Sequence, residues 1–162
     1  MFRGDGHSFI NIGKYLERAI QTLSILEVKV GDLSPDLEKT TGITYWKHLL
    51  MSVSGYALYL KNYRSGFEAK NVVDQVLFDT NFPRSVLYSL NQLGRYFSRL
   101  RNERKVEGYE RVENMVGKVR SKVQYSDVNS VTTVGLHNFL REITTEINAV
   151  GNSLDQYYFA YS

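Results

Sequence analysis

Apolar residues return at alternating steps of four and three along much of this chain. Phe9, Ile12, Leu16, Ala19, Leu23, Leu26 and Val30 follow that rule without a break. It is the signature of a helix with one buried face. The first helix is predicted to begin near His7 or Ser8, with Asp5 or Ser8 as its cap, and to end before Gly31. Asp32 to Gly42 reads as a loop built on Ser34-Pro35-Asp36. A second helix carries Trp46, Leu49, Val53, Ala57 and Leu60 on one face and ends at Arg64-Ser65-Gly66. Its small residues Ser52, Ser54 and Gly55 leave room for a neighbour to approach.

A short third helix holds Val72, Val73, Val76 and Leu77. Asp79-Thr80-Asn81-Phe82-Pro83-Arg84-Ser85 reads as a turn that starts the fourth helix, with Thr80 or Asn81 as cap and Pro83 in the first turn. Val86, Leu90, Leu93, Phe97 and Leu100 form the stripe of that helix. The fifth shows Tyr109, Val112, Val116, Val119 and Val123; valine is a poor helix former, but the period is helical. Asp127 falls in the turn that follows. The last helix repeats steps of four and three through Leu136, Leu140, Ile143, Ile147, Val150, Leu154 and Tyr157. No stretch alternates with period two for long enough to be a strand. The fold expected is all-α, an antiparallel bundle of about six helices in one domain over 1–162.

Composition narrows the picture. With 162 residues and 43% apolar content the chain can bury a core. It has no cysteine, so disulfide and thiol chemistry are excluded. It has no apolar run of about eighteen residues to span a membrane, and Met1 to His7 lack the apolar centre of a signal peptide. The cytoplasm is the expected location. The net charge of +3 is mild. The densest basic run, Arg95 to Lys105 with Arg99, Arg101 and Arg104 between, suits either phosphate contact or a solvated helix end. The second reading is favoured, and nucleic acid is not the expected partner.

Catalytic signatures are sparse. The three histidines, His7, His48 and His137, form no His-x-x-x-His or Glu-x-x-His pair, which sets a di-iron bundle aside. His7, Glu17, His137 and Glu142 would have to meet in space to hold a metal, and no metal or other cofactor is expected. There is no P-loop and no serine nucleophile elbow. What remains is the Glu17-Arg18 pair beside the apolar face of the first helix, where a charge needs a partner. Glu17 is predicted to be largely buried and paired with Arg84 or Arg141. Arg84, in turn, has a fork suited to an anionic ligand or to Asp79. A ligand-binding or catalytic centre would draw on Glu17, Arg18, Arg84 and His137. Twelve tyrosines are many for this length, and the cluster Tyr157, Tyr158, Phe159 and Tyr161 reads as an interface.

These segments carry a family resemblance. Gly6-His7-Ser8-Phe9, Ile12 to Ala19 with Gln21-Thr22, Trp46 to Gly55, Asp79 to Ser85, Gln124 to Asp127, Gly135 to Leu140 and Gly151 to Phe159 resemble, in order, the bacterial alpha-E domain family. The resemblance implies an all-helical domain without an established biochemical activity, with its namesake glutamate at Glu17. It also implies gene neighbours or fusions that encode ATP-grasp-type amidoligases and transglutaminase-like proteases. The expected function is therefore a helical accessory domain with such a protein as partner in making or modifying peptides. Whole members are about twice as long, and this chain resembles their C-terminal half. On that reading a homodimer is expected to cover the apolar surface that the other half would cover.

Overall fold

The computed structural model describes residues 3–31, 42–103 and 108–156. Tyr157, Tyr158, Phe159 and Tyr161, the expected interface, lie outside the described residues, as do Arg104 and Lys105 of the basic run and most of the loop after the first helix. Among the described residues there are eight helices and no strand: α1 (Arg3–Gly31), α2 (Ile43–Ser52), α3 (Tyr56–Asn62), α4 (Ala69–Phe78), α5 (Val86–Glu103), α6 (Tyr109–Gln124), α7 (Val128–Val134) and α8 (Leu136–Leu154). None is long and apolar enough to cross a membrane.

The four long helices close into a ring. Helix α1 packs along α5 and α8, and α6 packs along the same two. Neighbours run antiparallel. Tyr15 lies against Tyr88 and Tyr96, and Thr22 reaches back to Arg84. On the opposite side Met115 of α6 meets Ser153 of α8, and Lys122 meets Glu142 and Glu146. The four short helices gather at the end where α5 and α8 begin, since α4 touches α2, α5, α6 and α7.

The stripes predicted for the long helices are what the ring encloses, with Phe9 half-buried at one end and Tyr157 outside the described residues. On α8, Leu136, Leu140, Ile143, Ile147, Val150 and Leu154 are all buried. The valines Val112, Val116, Val119 and Val123 of α6 are no more than 2% exposed. Burial of such a side chain stabilises by about 1.5–3 kcal/mol, which outweighs the few tenths of a kcal/mol that valine costs in a helix. Helix α1 begins at Arg3, earlier than its polar residues suggest, so Asp5 and Ser8 lie inside it and not at its start.

The expected second helix is two helices. Ser54 takes a left-handed φ of 58°, and the chain breaks between α2 and α3. The break changes which side faces inward. Val53 is buried, but Leu60 is 47% exposed and Tyr59 is fully buried in its place. Gly55 explains the break. Its N–H donates to the Leu50 carbonyl at 2.7 Å, and its own carbonyl accepts the Gln75 side chain at 2.9 Å. The Phe82 ring comes so close that a Cβ on Gly55 would stand 2.8 Å from it. The approach expected at these small residues is thus made by an aromatic ring. Helix α7 is the other element not foreseen. Its cap is reciprocal: Asp127 Oδ1 accepts from the Ser130 N–H at 2.8 Å, and Ser130 Oγ accepts from the Asp127 N–H at 3.2 Å.

The segment before α5 is a capped start, as expected, but the cap is Ser85. Its Oγ accepts from the Tyr88 N–H at 3.0 Å and donates to the Asp79 carbonyl. Thr80 and Asn81 are too far upstream to reach the free amides of a helix that begins at Val86. Pro83 lies ahead of the helix in a turn closed by the Ser85 N–H on the Phe82 carbonyl at 2.9 Å. Proline favours the second position of such a turn. The ends, Phe82 and Ser85, are buried, and Arg84 is held outward between them.

Two outcomes test this account. Gly55→Ala should lower the urea midpoint by an amount equivalent to about 1–3 kcal/mol, because the Phe82 ring has to move; an unchanged midpoint would show that the contact yields freely. Ser85→Ala should cost about 1–2 kcal/mol in the same measurement, and the joint change of Thr80 and Asn81 to Ala should cost clearly less. The reverse order would return the cap to Asn81 or Thr80.

Candidate functional site

Helix α1 buries Ile12, Leu16, Ala19, Leu23, Leu26 and Val30. Glu17 follows Leu16 by 100° around the helix and points away from that face. It is exposed, and its Oε1 accepts from Gln21 Nε2 at 3.3 Å, one turn on. The buried ion pair expected of it is therefore absent: neither Arg84 nor Arg141 bonds to Glu17. A cost of about 3–5 kcal/mol, which follows from breaking a buried pair, does not apply to Glu17.

Glu17, Arg18 and Arg84 do come together, at the surface. With Lys14 and Gln21 they line a polar pocket of about 190 Å³. Three consecutive turns of α1 supply four of the lining residues, and the Phe82–Ser85 turn supplies Arg84. One hydrogen bond sets the distance between the two elements. The buried Thr22 hydroxyl donates to the Arg84 backbone carbonyl at 2.9 Å. Arg84 is fixed at its main chain while its side chain stays exposed.

Two of the lining cations rest on an aromatic ring beside the pocket. Tyr15 is buried and stacks on Tyr96 with centroids 6.1 Å apart. The Arg18 guanidinium lies 5.4 Å from the Tyr15 centroid and the Lys14 ammonium 5.3 Å from it. Cations over a ring face gain roughly 0.5–1 kcal/mol when exposed, so both are steered without being neutralised. Among the described residues neither these two nor Arg84 forms an ion pair. The pocket thus offers three cations and one carboxylate to an incoming group. Burial raises the Tyr15 phenol above its ordinary range. Tyr88 and then Tyr96 add to the rise, while the charge of Arg18 works against it.

The other expected site residues lie elsewhere. Asp79 builds the turn: its Oδ1 accepts from the Asn81 N–H at 2.8 Å and its Oδ2 from Asn62 at 3.4 Å. It makes no ion pair with Arg84. His7 is exposed on α1 with its ring edge-on to Tyr96. His137 is exposed in the first turn of α8 and does not line the pocket. Glu142 pairs with Lys122, as does Glu146 at 3.0 Å. Burial disfavours the Lys122 ammonium, but the hydrogen bonds it donates to the two carboxylates, and their charge, outweigh that and raise its pKa. Among the described residues no three histidine or carboxylate side chains gather in a way that could hold a metal. Lys14, Gln21 and the ring of Tyr15 were not anticipated. Their signal is the helical repeat itself, since 14, 17, 18 and 21 share one side of α1.

The fold and this pocket define an all-α antiparallel bundle that presents a Glu-Arg pair at its surface. The chain belongs to the Alpha-E family, a predicted alpha-helical domain with a conserved ER motif, whose model matches residues 1–159. No curated protein and no solved structure matches it. Glu-Arg occurs three times here, at Glu17, Glu103 and Glu110, and the first occurrence is the one beside Arg84.

The tyrosine titrations test the geometry. Arg18→Gln should raise the Tyr15 pKa further, read by NMR on ring-labelled tyrosine, because the charge that lowers it is gone; no movement would mean that Arg18 does not rest over this ring. Tyr63, whose hydroxyl donates to Asp74 at 3.0 Å, is likewise pushed up, by burial first and then by the Asp74 charge. Above a pH of about 10 the unfolded chain releases protons that both phenols keep when folded. Stability should therefore be full below that pH and fall as pH rises through it.

Proposed function

We propose that this chain is a helical interaction domain that receives an anionic group of a protein partner in the pocket formed by Lys14, Glu17, Arg18, Gln21 and Arg84. The partner is an ATP-grasp-type amidoligase or a transglutaminase-like protease, and the pair makes or modifies peptides. One observation carries the reading of the pocket: three cations stand around it, and none forms an ion pair among the described residues. Guanidinium forks match carboxylate and phosphate geometry. The volume of about 190 Å³ is below the usual 300–1,000 Å³ of small-molecule sites, so it suits one charged group of a larger body. The partner class rests on the family resemblance. The alternative, a ligand-binding or catalytic centre on Glu17, Arg84 and His137, loses support because His137 is not at the pocket.

The test is co-purification with the ligase or protease encoded beside this gene. Capture is expected from the parent chain and should fall at least tenfold in an Arg18→Gln, Arg84→Gln double variant whose circular dichroism is unchanged. Capture that ignores the double change would remove the pocket from the interface. Failure to capture any neighbouring ligase or protease would remove the proposed partner.

A further inference from the structure

A second and larger cavity, of about 910 Å³, opens between α5 and α6. Small residues line it on both helices: Gly94 and Ser98 on α5, Gly117 and Ser121 on α6. The Arg120 guanidinium takes part of it, lying over Gly94, where a Cβ would be 3.6 Å from Nη1. Arg95, Arg99 and Lys118 also line the cavity. Arg99 is steered by the Tyr96 ring, 5.1 Å from its centroid. The single carboxylate in the lining, Glu113, is engaged by Arg101 at 3.0 Å.

This is not an ordinary solvated helix surface. Arg95 and Arg99 are one turn apart on α5, a spacing at which like charges repel. None of Arg95, Arg99, Lys118 and Arg120 forms an ion pair among the described residues. Four cations without an ion pair among the described residues, around one concave space, leave a positive field that a bound anion would neutralise.

We propose that this groove binds an oligophosphate, either free or as the phosphate chain of a nucleotide. Charge density favours phosphate over an acidic peptide. The lining of α6 from Glu113 to Ser121 spans about 12 Å. An extended peptide places carboxylates on one side only about every 7 Å and would offer two charges there. A short run of phosphates offers more, each with several acceptor oxygens for the arginine forks. The lining contains no aromatic residue, and single-stranded nucleic acid is held largely by stacking on such rings. The groove therefore recognises its ligand through the phosphates and offers no ring on which a base could stack. It is separate from the Glu-Arg pocket, and the inference does not depend on the function proposed for that pocket.

Isothermal titration with sodium tripolyphosphate tests the site. One molecule should bind, and affinity should fall at least tenfold in an Arg95→Gln, Arg120→Gln variant. An Arg99→Gln, Lys118→Gln variant provides a second reading if the first does not fold. The Arg18→Gln, Arg84→Gln chain should bind within twofold of the parent. ATP that binds like tripolyphosphate would identify a site for free oligophosphate, and ATP that binds tenfold tighter would identify a nucleotide site; either outcome upholds phosphate recognition. Absence of binding at millimolar tripolyphosphate, or full affinity in the groove variants, would overturn the proposal. So would a tetraglutamate peptide or a single-stranded oligonucleotide that binds ten times tighter than tripolyphosphate.

Discussion

The apolar stripe of α1 has to be covered from two sides, and this requirement organises the molecule. Helix α5 covers one flank and α8 the other. Once α5 lies antiparallel to α1, the turn that precedes it falls beside the middle of α1. Thr22 then closes a hydrogen bond to the Arg84 carbonyl at 2.9 Å. A hydroxyl buried at that position needs a partner, so the contact locks the register of the two helices. The pocket follows from this register, because a slip of one turn would move Arg84 by about 5 Å, away from Glu17 and Arg18.

The parts of the fold that could be read in the sequence are those governed by a single helix. A stripe such as Leu140, Ile143, Ile147 and Val150 states by its spacing alone which side is buried, and it is right because the ring of long helices is nearly regular. Errors fall where a second element intrudes. Ser54 and Gly55 break a periodic segment because the Phe82 ring, from a distant part of the chain, occupies the space against Gly55. The stripe then loses phase, and Tyr59 takes the buried position expected of Leu60. The cap at Ser85 was missed for a similar reason. Thr80 and Asn81 have the right chemistry, but Phe82 anchors the turn and moves the start of the helix downstream.

Glu17 shows the same limit at the site. Its neighbour Leu16 is buried, and proximity in sequence suggested burial of the charge as well. Around a helix, however, adjacent residues differ by 100°, enough to separate core from solvent. Charge alone suggests that Glu17, Arg18 and Arg84 meet, but not that they meet at the surface, because a separation of 62 residues between Thr22 and Arg84 has no local signature.

Charge is distributed unevenly over the bundle, and this bears on how the two cationic sites behave. The carboxylates Glu142 and Glu146 of α8 are engaged by Lys122 of α6, so that side of the ring is largely compensated. On the side formed by α1, α5 and the outer part of α6, Glu113 pairs with Arg101, and among the described residues the cations that line the two sites form no ion pair. There Lys14 and Arg18 rest over Tyr15, and Arg99 rests over Tyr96, on which Tyr15 stacks. The stacked rings of buried Tyr15 and half-buried Tyr96 thus hold cations that line both the Glu-Arg pocket and the α5–α6 groove. An ion pair would satisfy each of these cations but neutralise it. A ring holds it in place and leaves its charge available.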